Sequence, residues 1–411
     1  MIRNALLRLS IVTALTSVTF IAQAKDEAEV IHWWTSKGEA AAVKTIADAY
    51  NAAGGKWIDT AIAGGSNART AGINRIVGGN PPTAMQMNFG RQFEDLISSD
   101  LIRNVDDLAK AGKWSERLPA AINSAITRNG HVYSVPLNIN TQNWLWYNTA
   151  AFKKAGVTPP DSFPGILAAA PKLKAAGITP FVLAGDPFYE SLLFQTVLAN
   201  YGGHELYNKI LKDHDVKAVR SAGFLKVVKM FLALKPYTDQ GNTARSWNDT
   251  IALVINGKAA MNIVGDYAKG EFILAGQHPG VEFGCHLLGD GSMIMSGDMF
   301  VFPKPVNKQM ETSQNKLASI IMEPNVQLAF SMKKGSIPVR KDINVSSMDE
   351  CAQNSRSTSD DPDLLLGGPY VLLTPDAVGE MQDEITQLWH SAKPSEKDFI
   401  EKIATIIKDA S

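Results

Sequence analysis

Cysteine is nearly absent: Cys285 and Cys351 are the only two in 411 residues. An even count in an exported chain admits a disulfide. Two buried thiols are the other reading, because cysteine packs as a small hydrophobe. An excess of either charge is missing too, since 40 basic and 41 acidic side chains leave a net charge of -1. With no basic or acidic block there is no electrostatic pull toward nucleic acid or an anionic membrane, and no nucleic-acid partner is expected. The histidines are scattered, with no H-x-H or H-x-x-x-H pair, so no metal centre is called for. A G-x-S-x-G elbow and a P-loop are also lacking. Gly64-Gly65 is a tight turn, too little for a phosphate cradle. No cofactor is expected. Beyond residue 24 no uncharged run reaches membrane-spanning length, and there is no internal repeat or low-complexity tract.

What is there begins with a processing segment. Arg3 and Arg8 supply positive charge, 9–21 is mostly apolar, and Ala22-Gln23-Ala24 is an A-x-A cleavage pattern, which places the mature start at Lys25. The apolar stretch is too short and too rich in Ser and Thr for a retained anchor. No cysteine near the cleavage point offers a lipid anchor, so a free periplasmic protein is expected.

Past the leader, apolar runs alternate with helical periodicities. The stretch 30–33 reads as a strand that leads into Trp33-Trp34. Ser36 and Glu39 then form an S-x-x-E capping box for a helix carrying Val43, Ile46, Ala47 and Tyr50. A strand at 58–63, a helix bearing Ile73, Ile76 and Val77, a break at 78–82 and a strand at 83–87 follow. This is the pattern of an α/β fold with a parallel sheet covered on both faces. In such sheets ligands sit beyond the carboxyl ends of the strands. Trp33, Trp34, 64–67 and Asn88 converge there. Extended stretches at 132–135 and 143–147 lead into a second alternating region, and most of the chain after 302 is helical.

Several stretches together resemble a known family. They include Trp33-Trp34-Thr35-Ser36-Lys37-Gly38-Glu39, Gly79-Asn80-Pro81-Pro82, Asn143-Trp144-Leu145-Trp146 and Ser246-Trp247-Asn248-Asp249. Asn256-Gly257-Lys258-Ala259-Ala260-Met261, Gly265-Asp266-Tyr267 and Lys334-Gly335-Ser336-Ile337-Pro338-Val339-Arg340 complete the set. The chain is similar to the family 1 bacterial extracellular solute-binding proteins, and within them to periplasmic glucose- and mannose-binding proteins. The resemblance implies a two-lobe fold, each lobe a doubly wound sheet with flanking helices, discontinuous in sequence and joined by a hinge. It places 25–137 with 286–340 in one lobe and 138–285 with 341–411 in the other. It also implies a sugar bound in the cleft, delivery of that sugar by a monomer to an ATP-driven inner-membrane permease complex, and a disulfide between Cys285 and Cys351.

A pyranose offers a C–H face that packs on aromatic rings and a rim of hydroxyls that needs donors and acceptors. Trp33 and Trp34 are the first candidates. Neighbours on a strand face opposite ways, so one of them can be core and the other a platform. For Glu39 the capping box is a sufficient role, and the resemblance puts it in the sugar site. Trp247 and Asn248 stand before a helix that Asn248 or Asp249 can cap, and Trp247 has no part in capping. Asp266 opens a helix, where capping again suffices, and the resemblance makes it a ligand. Asp298 lies in an apolar run, where a carboxylate needs partners. Lys334 follows from the K-G-S-I-P motif. Two departures leave the sugar open: Asn88 stands where the subgroup has lysine, and 366–370 lacks its histidine, with Tyr370 as a substitute. A polyol or an oligosaccharide is the alternative ligand. An exported glycosidase using Glu39, Asp266 or Asp298 is the remaining reading.

Overall fold

The computed structural model describes residues 26–239 and 241–410. The expected leader and cleavage point lie outside the described residues. β1 (Glu27–His32), β2 (Lys56–Ala61) and β3 (Ala84–Asn88) pair in parallel in the order β2-β1-β3. The crossovers α1 (Lys37–Ala52) and α2 (Gly65–Val77) connect them, as the strand–helix alternation requires. β4 (Thr127–Arg128) and β5 (His131–Val132) form a small hairpin. β6 (Ser134–Thr141) is buried along its whole length.

A second sheet is built from β7 (Trp144–Asn148), β8 (Thr179–Val182), β9 (Ala259–Val264) and β10 (Phe283–Leu287), in the order β10-β7-β9-β8. β11 (Met293–Val301), β12 (Ile337–Pro338) and β13 (Leu365–Gly367) return to the first sheet. β11 lies antiparallel between β3 and β6, so the first sheet is mixed rather than wholly parallel. The chain changes sheet at 142–143 and 288–292, rather than at the expected 137/138 and 285/286. β6 and β10 each run through one of those expected borders without leaving their sheet.

Each sheet has its own core. Trp34, Phe89, Phe93, Phe300 and Phe330 fill the first. Phe181, Phe194, Phe231 and Trp389 belong to the largest cluster around the second. Cys285 on β10 is disulfide-bonded to Cys351 on the helix Glu350–Ser359, with Cα atoms 6.2 Å apart and a separation of 66 in sequence. A crosslink of that span is worth about 4 kcal/mol if it acts by restricting the unfolded chain. The double replacement Cys285→Ser/Cys351→Ser is therefore expected to lower the urea midpoint of the oxidised protein by a corresponding amount. An unchanged midpoint would mean that the folded protein gains nothing from the bond.

Candidate functional site

The carboxyl ends of β1 and β3 meet β11 at the site. Antiparallel pairing sets Asp298 opposite Asn88 on one side and Asn138 on the other, and the β6–β11 register shifts between Asp298 and Met299. Such an irregularity re-aims a side chain next to a site. Asp298 is buried, and its carboxylate accepts from Gln86 Nε2 at 2.7 Å and from Asn140 Nδ2 at 3.2 Å. Asn140 Oδ1 in turn accepts from Asn138 Nδ2 at 2.7 Å. Gln86 Oε1 takes the backbone N–H of Trp33 at 3.0 Å, so one amide ties the aromatic turn to the buried carboxylate. Sequence reasoning missed Gln86 and Asn140. Their only signal was a polar residue inside an apolar strand, which a folded core must satisfy.

The two adjacent indoles separate. Trp33 is half-buried, with Arg69 over its ring at 5.5 Å from the centroid. Trp34 is 1% exposed and packs against Phe300 and Phe330 with centroids 5.8 and 5.1 Å away. The expectation that Trp34 lines the cleft is corrected: it is a core residue, because the chain turns just past the end of β1 and seats its ring between Phe300 and Phe330. His32, fully buried, sets this turn. Its Nδ1 accepts from Trp34 N at 3.2 Å, which places the ring proton on Nε2, 2.8 Å from Asp59 Oδ1.

Glu39 and Lys334 form a buried ion pair at 2.8 Å. Ser36 Oγ does cap α1 by accepting from Glu39 N, but the Glu39 carboxylate goes to Lys334 instead of closing the box. Lys334 ends the helix Pro324–Lys334, and its Nζ lies 4.7 Å from the ring centroid of Tyr267. Tyr267 meets Trp247 edge-on, with centroids 4.9 Å apart. The pair therefore sits where elements of the two sheets face each other. Trp247 opens the helix Trp247–Ile255, but the cap is Ser246, neither Asn248 nor Asp249. Trp247 and Asn248 are both half-buried. Tyr189 faces Tyr267 from the helix Pro187–Asn200, and the Tyr267 hydroxyl meets no partner at hydrogen-bond geometry. Tyr189 carried no signal in sequence, and Gly38 stood in the 33–39 stretch without being a site candidate. Gly38 N donates to Glu271 Oε1 at 2.9 Å across the same seam.

Asp266 is not a helix cap. Its Oδ2 accepts from the backbone N–H of Thr141 at 2.8 Å, and its own N–H donates to Thr141 O at 2.9 Å. This two-bond clamp grips β6 at the point where the chain leaves the first sheet. Oδ1 is buried without a partner. Burial pushes the carboxyl from 3.8 up to about 7, against the Thr141 N–H, Lys334 and Lys269, with Asp298 adding to the rise. A raised carboxyl favours the folded state most when protonated. Its stabilising contribution is therefore full below the ordinary value and is lost as pH climbs through the raised one. Asp266→Asn keeps an oxygen for Thr141 N–H and removes the charge. Its melting temperature relative to the parent is expected to rise from roughly pH 4 to pH 8 and to exceed the parent at the upper end. A difference that stays flat across that range would show that Asp266 does not titrate there.

Asn88 is half-buried, and its Nδ2 reaches Gly297 O at the long distance of 3.5 Å, which leaves most of the amide free for other partners. Tyr370 comes in from the loop after β13, where its backbone O accepts from Arg91 N at 3.1 Å. Gly90 makes this approach possible: its φ is +141° and a Cβ there would stand 2.2 Å from Tyr370 O. Among the described residues no group of His, Cys, Asp and Glu is arranged to hold a metal ion.

Residues 45–355 match the family model described as bacterial extracellular solute-binding protein. A probable sugar-binding periplasmic protein of Brucella suis is 33% identical over 394 residues, covering 94% of this chain and 93% of that one. Its counterpart in Mesorhizobium japonicum, named likewise, is 36% identical over 354 residues and covers 84% of each chain. Among solved structures, maltose-bound MalE3 of T. maritima superposes with a TM-score of 0.78 at 18% identity, covering 93% of this chain and 99% of that one, a likeness of fold. With its two sheets, its clamped crossing and a family match over most of its length, this chain belongs to the bacterial extracellular solute-binding proteins.

Proposed function

We propose that this protein is the periplasmic sugar-binding component of an ATP-driven importer, released after cleavage near Ala24. It captures a monosaccharide between its two sheets and, as a monomer, hands it to an inner-membrane permease complex. The observation that carries this reading is the pairing of ring surfaces with unsatisfied polar atoms at one seam. Trp33 and Trp247 offer half-buried indoles, Asp266 Oδ1 is buried without a protein partner, and the buried Tyr267 hydroxyl has only the Tyr189 hydroxyl beside it. Apolar walls with a few placed polar groups suit a sugar ring, and its hydroxyls would satisfy groups that are costly to leave unpaired. Glu39, Asn88, Asn248, Asp298 and Lys334 supply the remaining acceptors and donors. The names of the Brucella and Mesorhizobium relatives agree with this assignment.

The mechanism is closure about the strands that cross between the sheets, driven by tighter binding in the closed state. No bond is made or broken. Intrinsic fluorescence and melting temperature, followed across monosaccharides, polyols and oligosaccharides, test the assignment. A saturable response to a monosaccharide is expected. A response confined to polyols or longer oligosaccharides would replace the ligand class, and aglycone release from aryl glycosides would make the protein a glycosidase.

A further inference from the structure

The charged groups of the seam are mostly satisfied from within. Glu39 has Lys334, and Asp298 has the amides of Gln86 and Asn140. Arg69 differs. It lies on α2, half-buried, over the ring of Trp33. Its guanidinium meets one hydroxyl, with Nη2 donating to Ser66 Oγ at 3.3 Å. Among the described residues no carboxylate pairs with it. Arg103, which also lacks a carboxylate, reaches the side chains of Gln314 and Asn315.

The surroundings do not compensate for the charge. The first turn of α2 carries no acidic residue. Gly65 lets guanidinium and indole crowd together, since a Cβ there would stand 3.1 Å from Arg69 Nη1 and 3.6 Å from Trp33 Cδ2. Burial pulls the guanidinium below its usual range, and the phenol of Tyr370 in the facing loop partly opposes this. Most of the five donors of this fork are uncommitted to protein and open to an incoming anion. The planar fork suits a carboxylate, which it can grip with two parallel bonds.

We propose that the ligand is an acidic monosaccharide, a uronic acid or related sugar acid, whose carboxylate is held by Arg69 while its ring packs on Trp33. This rests on the sugar-binding reading above and narrows it. Neutral hexoses still fit the ring surfaces and the hydroxyl partners, and they lack the group that Arg69 recognises.

Calorimetric titration of the intact mature protein with D-glucuronate against D-glucose, and with D-galacturonate against D-galactose, tests the proposal. At least one uronate is expected to bind about tenfold or more tightly than its neutral partner, the scale of a hydrogen bond to a charged group. Arg69→Ala should bring that ratio to about one. Arg69→Lys, which keeps charge but loses the fork, should retain part of it. Melting temperatures of the variants report whether they fold. Neutral sugars binding as well as the uronates, or a preference that survives Arg69→Ala, would overturn the inference and leave sugar binding standing. If no saccharide of any class binds the parent, both readings fall together.

Discussion

Trp34→Ala is expected to cost about 3–5 kcal/mol of folding stability, whereas Trp33→Ala, one residue away, should leave the urea midpoint nearly unchanged. The contrast follows from their surroundings. Trp34 is 1% exposed among Phe300, Phe330 and the buried face of His32. Truncation there removes a large apolar volume that close-packed neighbours cannot collapse to fill. Trp33 lends only part of its surface to the fold. Its loss should show in binding, with affinity for the sugar falling about tenfold or more as the stacked face disappears. Equilibrium unfolding and ligand titration on the two single variants separate the roles. If Trp33→Ala unfolds the protein as readily as Trp34→Ala, the platform assignment is wrong.

The second large effect concerns Glu39 and Lys334, whose side chains are 7% and 3% exposed. Lys334→Met alone leaves a buried carboxylate without its cation and should destabilise by about 3–5 kcal/mol. The double variant Glu39→Gln/Lys334→Met removes both charges and should recover most of that loss. Binding should not recover if, as proposed above, Glu39 and Lys334 each contact the ligand. Recovery of stability without affinity marks a pair kept for recognition. Recovery of both would reduce it to a structural bridge.

The parallel half of the first sheet was legible from alternating strand and helix signals, because such units wind only one way. The place of β11 was not. It pairs with β3 across more than 200 residues of chain, and periodicity carries no information on which distant strand fills a gap. The same limit explains the site. Strand alternation predicts that one of Trp33 and Trp34 turns inward, but the separation arises in the turn just past β1. Glu39 was half-legible: its backbone belongs to a local capping motif, but its carboxylate finds a partner 295 residues away. Asp266 looked like a cap because it precedes a helix, and what holds it is the backbone of a strand from the other sheet. Arg69 gave no sign at all, since an arginine on an amphipathic helix is ordinarily a solvated one.

The bond between Cys285 and Cys351 ties the neck of a chain excursion. The segment between them leaves the second sheet and supplies β11 and β12 to the first, and Cys351 bonds it back to β10. In the oxidised protein that excursion is a closed ring, whose strands are laced into the other sheet. A protease that cuts once inside the ring therefore cannot release a fragment. The nicked molecule stays one covalent piece, with its strands still seated, and runs as two only after reduction. This is tolerance to a single cut written in topology, and neither sheet would have it alone.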